Sequence, residues 1–335
     1  MSKVLTISQH YPCALLEKIK QDQDLYFSLL GQAGISPSVV DEPKARVPIE
    51  SHVRLYREIA NIINDEAFGF LPTPIRSGAY AMACEFIASA LTIGEALERL
   101  CRFYRIVTGD VHLSVTVEGG EARFEVQLEV PELDFHHFVA ETFLCIGYRC
   151  STWLAGRAIK LNRAGFVYDK PAHAAEYAYL FPCNHTFNEA KVNYISFDAD
   201  ILRLPVLKTD AEIQAYCSRV PEDLMNKLVG SDSFCNRVYL QLSQKSEDDK
   251  KDLASIAKEL AVSEKTLRRR LRDEGVSFQQ IKDNLRLDTA IFHLSGSKYT
   301  VAEISEKLGF STPGAFSRAF KKWTALSPEQ YRQRA

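Results

Sequence analysis

The sequence predicts an α+β domain followed by an all-α domain that carries two helix-turn-helix units. Three observations support this fold class: alternating apolar residues around a Gly-Gly pair, two capped pairs of amphipathic helices near the end, and a change in charge between the two parts. From Ser231 onward there are 19 Lys and Arg residues against 14 Asp and Glu, whereas the preceding residues hold 22 against 29. A basic part attached to an acidic one is typical of a separate nucleic-acid-binding module.

Composition limits the class of protein. The chain has 335 residues, of which 46% are apolar and 25% charged, ordinary values for a globular protein of two or three domains. It has eight cysteines and no Cys-x-x-Cys pair, and no apolar run approaches the ~18 residues that indicate a membrane span. We therefore expect a cytoplasmic protein with reduced thiols and no membrane contact.

The α+β part is predicted to occupy residues 1–225. Thr92 and Glu95 form a capping box that begins a helix ending near Val107. Alternating apolar residues on both sides of Gly119-Gly120 predict a β-hairpin with one buried face. A long apolar helix is expected over 134–155, with shorter strands at 159–168 and 192–198. The small and polar segment 226–233 is the predicted linker.

The first helix-turn-helix unit spans residues 252–272. Apolar residues at helical spacing form one face of its first helix, and Ser263 is a natural N-cap for its second. On that second helix Leu267 and Leu271 are four residues apart and face the first helix. The cations of the second helix cannot share that face and are expected to project into solvent: Arg268, Arg269 and Arg272.

The second unit spans residues 300–323 and repeats the pattern. Thr300 and Glu303 form a capping box, and Gly309 suits the left-handed position at a helix end. Thr312 caps the next helix, on which Phe316 and Phe320 are the anchors into the core. The cations that lie off this face are Arg318, Lys321 and Lys322.

A helix between the two units is predicted from Ser277 onward, where Ser277 and Gln280 form a further capping box. Its apolar residues run to Ile291 at helical spacing. If both recognition helices enter the major groove on one side of B-DNA, this helix must hold them ~34 Å apart.

The C-terminal pattern resembles a known family. The motif I-x-E-K-L-G-F-S-x-x-x-x-F-x-R-x-F-K-K-W followed by S-P-x-x-Y-R, from Ile304 to Arg332, is similar to the DNA-binding domain of AraC/XylS transcription regulators. The first unit matches too, through S-x-K-T-L-R-R-x-L. The resemblance covers about 232–335, and we place the DNA-binding domain at 234–335. Ala325 stands where the family favours Gly.

The resemblance assigns roles to individual residues. It implies that Lys265, Arg268 and Arg269 read bases in the first unit, and Gly314, Ser317 and Arg318 in the second. Gly314 offers little to a base edge, so the second unit is expected to contact mainly phosphates. Phosphate contacts are expected from Arg272, Lys321 and Lys322.

The N-terminal part resembles the "arabinose-binding" effector domain of long AraC-type regulators, over about 20–210. The segments 166–181 and 187–205 carry this similarity. The resemblance implies an effector-responsive bacterial regulator that binds double-stranded promoter DNA, contacts RNA polymerase and forms a homodimer. It implies no cofactor and no enzymatic activity.

Candidate effector residues are polar-tipped side chains on otherwise apolar helices. They could line a pocket for an organic, amino or fatty acid, and Arg149 would pair with its carboxylate: Arg76, Tyr80, Tyr104, His136, Tyr148 and Arg149. By residue type, His136, His137, Cys145 and Cys150 are also candidate metal ligands. Because the spacing of these residues along one helix does not converge on a point, we predict no metal.

Two alternatives remain open. One is a ligand-independent dimeric DNA-binding protein whose N-terminal domain only oligomerises. The other is an enzyme, such as an alkyl-transfer repair protein on the same DNA-binding module, which the cysteine spacing disfavours. The sequence leaves open the effector, the target promoters, and activation versus repression.

Overall fold

The computed structural model describes residues 6–217, 234–243, 251–296 and 299–334. The chain divides into two compact units. One unit combines Met1–Ile59 with Arg237–Arg272 and Val276–Ala335, and the other combines Ala60–Asn236 with Asp273–Gly275. The predicted linker, 226–233, lies outside the described residues. No helix in the described part of the chain is long and apolar enough to cross a membrane.

The elements are numbered in chain order. The strands are β1 (Thr6–Ser8), β2 (Arg46–Pro48), β3 (Val111–Glu118), β4 (Glu121–Leu128), β5 (Leu161–Phe166), β6 (Asn184–Phe187) and β7 (Asn193–Asp198). The earlier helices are α1 (His10–Leu16), α2 (Gln23–Ala33), α3 (Pro37–Val40), α4 (Ile49–Ile63), α5 (Ala79–Ala88), α6 (Ile93–Val107), α7 (Phe138–Ala155), α8 (Tyr177–Leu180) and α9 (Asp210–Cys217). The later helices are α10 (Phe234–Ser243), α11 (Leu253–Glu259), α12 (Glu264–Asp273), α13 (Phe278–Gly296), α14 (Val301–Lys307), α15 (Pro313–Thr324) and α16 (Pro328–Arg334).

A five-stranded sheet organises the α+β unit. Its strand order is β3-β4-β7-β5-β6, and all neighbours are antiparallel except β5 and β6. The predicted hairpin is confirmed, with Val111 opposite Leu128 and Glu118 opposite Glu121. Phe124 and Val126 are fully buried, so the hairpin has the single buried face that the alternating pattern predicts.

Helices α6 and α7 pack beside each other against the sheet. The ring of Tyr104 on α6 meets Phe143 on α7 edge to face, with centroids 4.7 Å apart. A Cβ atom at Gly147 would come within 2.5 Å of the Phe124 ring, so glycine allows α7 to approach β4 closely. These contacts place the core of the unit between the helices and the sheet.

Helix α7 begins at Phe138 and not at 134 as the sequence predicted. The preceding residue, His137, has φ of +59° and cannot continue a right-handed helix. The carboxylate of Asp134 accepts hydrogen bonds from the N–H groups of Val139 at 2.9 Å and Ala140 at 3.0 Å. Asp134 therefore satisfies the first turn of the helix from outside it.

Both predicted helix-turn-helix units and the helix between them are confirmed. The first consists of α11 and α12, the second of α14 and α15, and α13 joins them. The Ser263 hydroxyl accepts from Thr266 N–H at 3.1 Å, and Thr300 and Glu303 form the complete capping box. Gly309 has φ of +72° at the end of α14, as its position after the apolar pattern predicts.

The first 59 residues belong to the same compact unit as the C-terminal helices. Asp288 on α13 is buried and accepts hydrogen bonds from Tyr239 Oη at 2.9 Å and from the Thr6 hydroxyl. Tyr331 on α16 donates to the Arg46 carbonyl at 2.7 Å. Sequence periodicity could not predict these contacts between distant positions. The predicted division into domains of 1–225 and 234–335 stays a prediction about which segments fold independently.

Replacing Asp288 should destabilise the protein. Asp288→Ala leaves buried hydroxyl donors of Tyr239 and Thr6 without their acceptor, and we expect a loss of about 2–4 kcal/mol in the free energy of unfolding. Asp283→Ala, on the same helix but partly exposed, is the matched control and should cost less than about 0.5 kcal/mol. Chemical denaturation measures both, and equal losses would contradict this role for Asp288.

The departure from the family pattern at Ala325 has a measurable cost. Ala325 ends α15 with φ of +63°, a left-handed conformation that glycine adopts more easily. We expect Ala325→Gly to raise the free energy of unfolding by about 1 kcal/mol. Ala319→Gly, inside the same helix, should lower it by about 0.5–1 kcal/mol. A lower melting temperature for Ala325→Gly would refute the explanation.

Candidate nucleic-acid interface

The first recognition helix is α12, and its two faces differ completely. Leu267 and Leu271 are buried at 0% and 1% exposure. The predicted DNA-contacting side chains of this helix, Lys265, Arg268, Arg269 and Arg272, are all exposed. One face therefore fixes the helix and the other presents cations to solvent.

Arg268 has an intrahelical partner that DNA could replace. Its guanidinium lies 3.3 Å from the carboxylate of Glu264, and these side chains are 69% and 48% exposed. An exposed ion pair of this kind contributes little to stability. If a base edge or a phosphate replaced Glu264 as the partner of Arg268, the helix would therefore lose little stability.

The second recognition helix is α15, which is anchored by aromatic rings. Phe316 and Phe320 are fully buried, and their ring centroids lie 5.6 Å apart. Of the predicted contact residues, Gly314, Arg318, Lys321 and Lys322 are exposed, whereas Ser317 is half-buried. A Cβ at Gly314 would lie 3.6 Å from Nη1 of Arg318, so the guanidinium folds back over the glycine.

Helix α13 connects the two helix-turn-helix units. Its 19 residues span about 28 Å at the α-helical rise. One turn of B-DNA separates successive major-groove segments by ~34 Å. A rigid connector of this size is compatible with two recognition helices that occupy adjacent segments of the groove.

The predicted effector residues lie in several separate environments of the α+β unit. Arg76 is exposed and precedes α5, and His136 lies edge-on to Phe70 at 5.9 Å. Tyr104 packs on Phe143, as described above. Tyr148 and Arg149 are adjacent and buried. The described contacts do not bring these side chains together around one point, so their role in ligand binding stays a prediction.

Arg149 is held by its surroundings. It is 4% exposed, its Nη2 donates to the Tyr179 carbonyl at 3.5 Å, and its guanidinium lies 5.7 Å from the centre of the Tyr148 ring. Tyr148 in turn donates to the Ile159 carbonyl at 3.3 Å. A carboxylate that pairs with Arg149 would therefore have to enter a packed interior.

Tyr80 belongs to a different cluster, which includes Cys150, the residue that follows Arg149 on α7. Its hydroxyl lies 3.0 Å from the hydroxyl of Tyr216 and 3.3 Å from Sγ of Cys150. Tyr216 stacks on Trp153 with ring centroids 4.1 Å apart. Burial raises the pKa of Tyr80 well above its ordinary value. All eight cysteines lie in the described residues and are free thiols.

A polar cluster of the α+β unit, buried at Glu141, His173 and Tyr177 and half-buried at its edge, was not predicted from the sequence. Glu141 is 2% exposed, and its Oε1 lies 2.7 Å from Nε2 of His173 and 2.5 Å from the Tyr177 hydroxyl. The hydroxyls of Tyr177 and Tyr168 are 3.0 Å apart, and Tyr168 stacks on His137 with centroids 3.6 Å apart. We call these five residues the Glu141 cluster.

The sequence held one indication of the Glu141 cluster. His173, Tyr177 and Tyr168 lie inside the segment 166–181, which carries the N-terminal family resemblance. Glu141 itself follows the pattern of an ordinary helical residue. Only the packing of α7 against this segment brings the carboxylate to its partners.

Comparisons with known proteins decide the family. Residues 27–206 match the family described as "Arabinose-binding domain of AraC transcription regulator, N-term", and residues 256–334 match the family described as "Helix-turn-helix domain". The first match covers more than half of the chain. The chain belongs to the AraC family of transcription regulators. It therefore has an N-terminal ligand-binding domain and a helix-turn-helix DNA-binding domain.

Three proteins of Pseudomonas aeruginosa are similar to this AraC-family regulator. The ornithine utilization regulator is 27% identical over 96% of this chain and 95% of its own length. The regulator VqsM is 41% identical over 25% of this chain and 26% of its own length. The crystal structure of the regulator CdpR covers 91% of this chain and 96% of its own, with 22% identity and a TM-score of 0.34.

Substitutions on the recognition helices should separate base contacts from phosphate contacts. Arg269→Ala should weaken specific binding by about 1–3 kcal/mol and relax preference at one base pair. Lys321→Ala should weaken binding to all sequences and reduce the salt slope by about one. Footprinting and salt titration measure these effects, with exposed Lys191→Ala in the α+β unit as control. Wild-type binding by both variants would show that the assignment is wrong.

Proposed function

We propose that this protein is an effector-responsive regulator that binds promoter DNA through α12 and α15. The observation that supports DNA contact best is the arrangement shared by both helices. Each buries an apolar pair four residues apart and leaves its cations exposed. Phosphate contacts would set the position of the protein and base contacts would set its specificity.

The roles of the two helices differ in this proposal. The first turn of α12 carries an acidic residue, Glu264, whereas α15 has none in its first turn. The N-terminal N–H groups of α15, capped only by Thr312, favour a nearby phosphate. Arg268 and Arg269 have the forked guanidinium that reads guanine. We therefore assign most base reading to α12 and mainly phosphate contact to α15.

The Glu141 cluster supports effector binding by the α+β unit. Burying several polar groups together is costly unless they are fully satisfied. We propose that an effector exchanges hydrogen bonds with Glu141, His173 or Tyr177. The name of the ornithine utilization regulator supports including amino acids, with organic and fatty acids, among the candidates.

A homodimer contact is supported by exposed apolar side chains. Leu91 and Leu207 are each 78% exposed. Their backbones are neighbours, because the N–H of Val206, the residue before Leu207, donates to the Leu91 carbonyl at 3.1 Å. Covering this pair with a second copy would remove apolar surface from water. RNA polymerase contact and a cytoplasmic location are further parts of the proposal.

A ligand screen tests the effector proposal. Amino acids, small organic acids and fatty acids are added to the purified protein, and melting temperature and promoter affinity are measured. A true effector should change both, because a ligand shifts an equilibrium only through different affinities for two states. Glu141→Gln should weaken the response at least about tenfold, as expected when a charged hydrogen-bond partner is lost. Glu129→Gln, exposed on the surface, is the control.

The same experiment distinguishes the alternative of a ligand-independent dimer. Sedimentation with and without the hit reports self-association. A dimer that binds DNA with no response to any compound would favour the alternative. A hit whose effect is unchanged in Glu141→Gln and is lost in Arg149→Ala would move the effector site to the sequence-predicted residues.

A further inference from the structure

A pocket of 190 Å³ lies among the helices of the DNA-binding region. Three leucines line it, Leu242 from α10, Leu285 from α13 and Leu308 directly after α14. Four cations surround this apolar lining: Lys251, Lys282, Arg286 and Lys307. The pocket therefore combines an apolar interior with strong positive charge. None of the family matches or predicted sites described above assigns a ligand to it.

Two of these cations lie beside aromatic rings, and one of the two, Lys307, also lies within electrostatic reach of Glu303. The Arg286 guanidinium lies 4.8 Å from the centre of the Phe310 ring. Nζ of Lys307 lies 4.5 Å from the centre of the Tyr299 ring. Aromatic rings attract cations but carry no net charge. Lys251, by contrast, is paired with the carboxylate of Glu259 at 2.9 Å. Arg286 on the α13 side and Lys307 on the α14 side are therefore the cations whose aromatic neighbours carry no net charge, although Glu303 offsets part of the charge of Lys307.

We propose that this pocket binds a small amphipathic carboxylate, with the aliphatic part on the leucines and the carboxylate among Lys282, Arg286 and Lys307. The volume supports a small ligand, since pockets for drug-sized molecules are roughly 300–1,000 Å³. A DNA phosphate would use the cations but not the leucine lining, because a phosphate has no apolar part. The combination favours a fatty-acid-like anion over the DNA backbone.

The position of the pocket gives such a ligand a way to influence DNA binding. Lys251 immediately precedes the first helix-turn-helix unit, Lys307 and Leu308 belong to the second, and Lys282 and Arg286 lie on the connecting helix. A ligand that contacts all three favours one arrangement of the two recognition helices. It would therefore change DNA affinity, and DNA would change ligand affinity by the same factor. This site goes beyond the proposed effector function of the α+β unit.

Calorimetry on the full chain tests the proposal with three probes: octanoate, octanol and inorganic phosphate. Octanoate should bind at least tenfold more tightly than octanol, which lacks the charge, or phosphate, which lacks the chain. The double variant Lys282→Gln/Lys307→Gln should lose at least tenfold in octanoate affinity. Lys258→Gln, an exposed lysine on α11 outside the pocket, is the matched control and should bind octanoate as wild type does.

Further variants distinguish this pocket from the Glu141 cluster and from the DNA-contacting residues. Thr289→Leu fills the pocket without changing its charge and should also abolish octanoate binding, whereas Glu141→Gln should leave it unchanged. Thermal melting checks that each variant is folded. The double variant should keep the wild-type salt slope of DNA binding.

Three results would overturn the proposal. One is the absence of octanoate binding by the wild-type protein. Another is octanoate affinity that stays at the wild-type value in the folded double variant or in Thr289→Leu. The third is a salt slope lowered by about two in the double variant, which would assign both lysines to DNA phosphates.

Discussion

The burial of apolar pairs four residues apart is the interaction on which the DNA-binding surface depends. Leu267 with Leu271, and Phe316 with Phe320, fill the cores of their units. An α-helix places residues at this spacing on one face, so burying the pair fixes the rotation of the helix about its own axis. The cations on the opposite side are thereby held in solvent, where a charged partner can reach them.

The connecting helix, α13, links the packing of the DNA-binding region to the start of the chain. Its buried Asp288 accepts hydrogen bonds from Tyr239 and from Thr6, and Tyr331 bonds to the backbone of Arg46. The first 59 residues thus belong to one compact unit with the C-terminal helices and contact α13 and α16 directly. Because packed interiors resist gradual deformation, we expect a rearrangement of the N-terminal segment to displace α13 and α16.

The α+β unit combines apolar packing with a network of polar side chains. Its sheet and helices bury a conventional apolar core, but the Glu141 cluster places a carboxylate, imidazoles and phenols inside it. Such a network is stable only while its members satisfy one another. In the function proposed above, an effector that offers alternative hydrogen bonds would act on this network, which apolar packing alone would not allow.

The sequence by itself determined the local features, since caps, turns and helical faces depend on residues three or four apart. It predicted both helix-turn-helix units, the hairpin and the exposed cations. The start of α7 was misplaced because His137 adopts a left-handed conformation, which periodicity does not reveal. Only the tertiary structure decided which distant side chains meet. Glu141 with His173, and Thr6 with Asp288, are joined by long-range packing that no spacing pattern encodes.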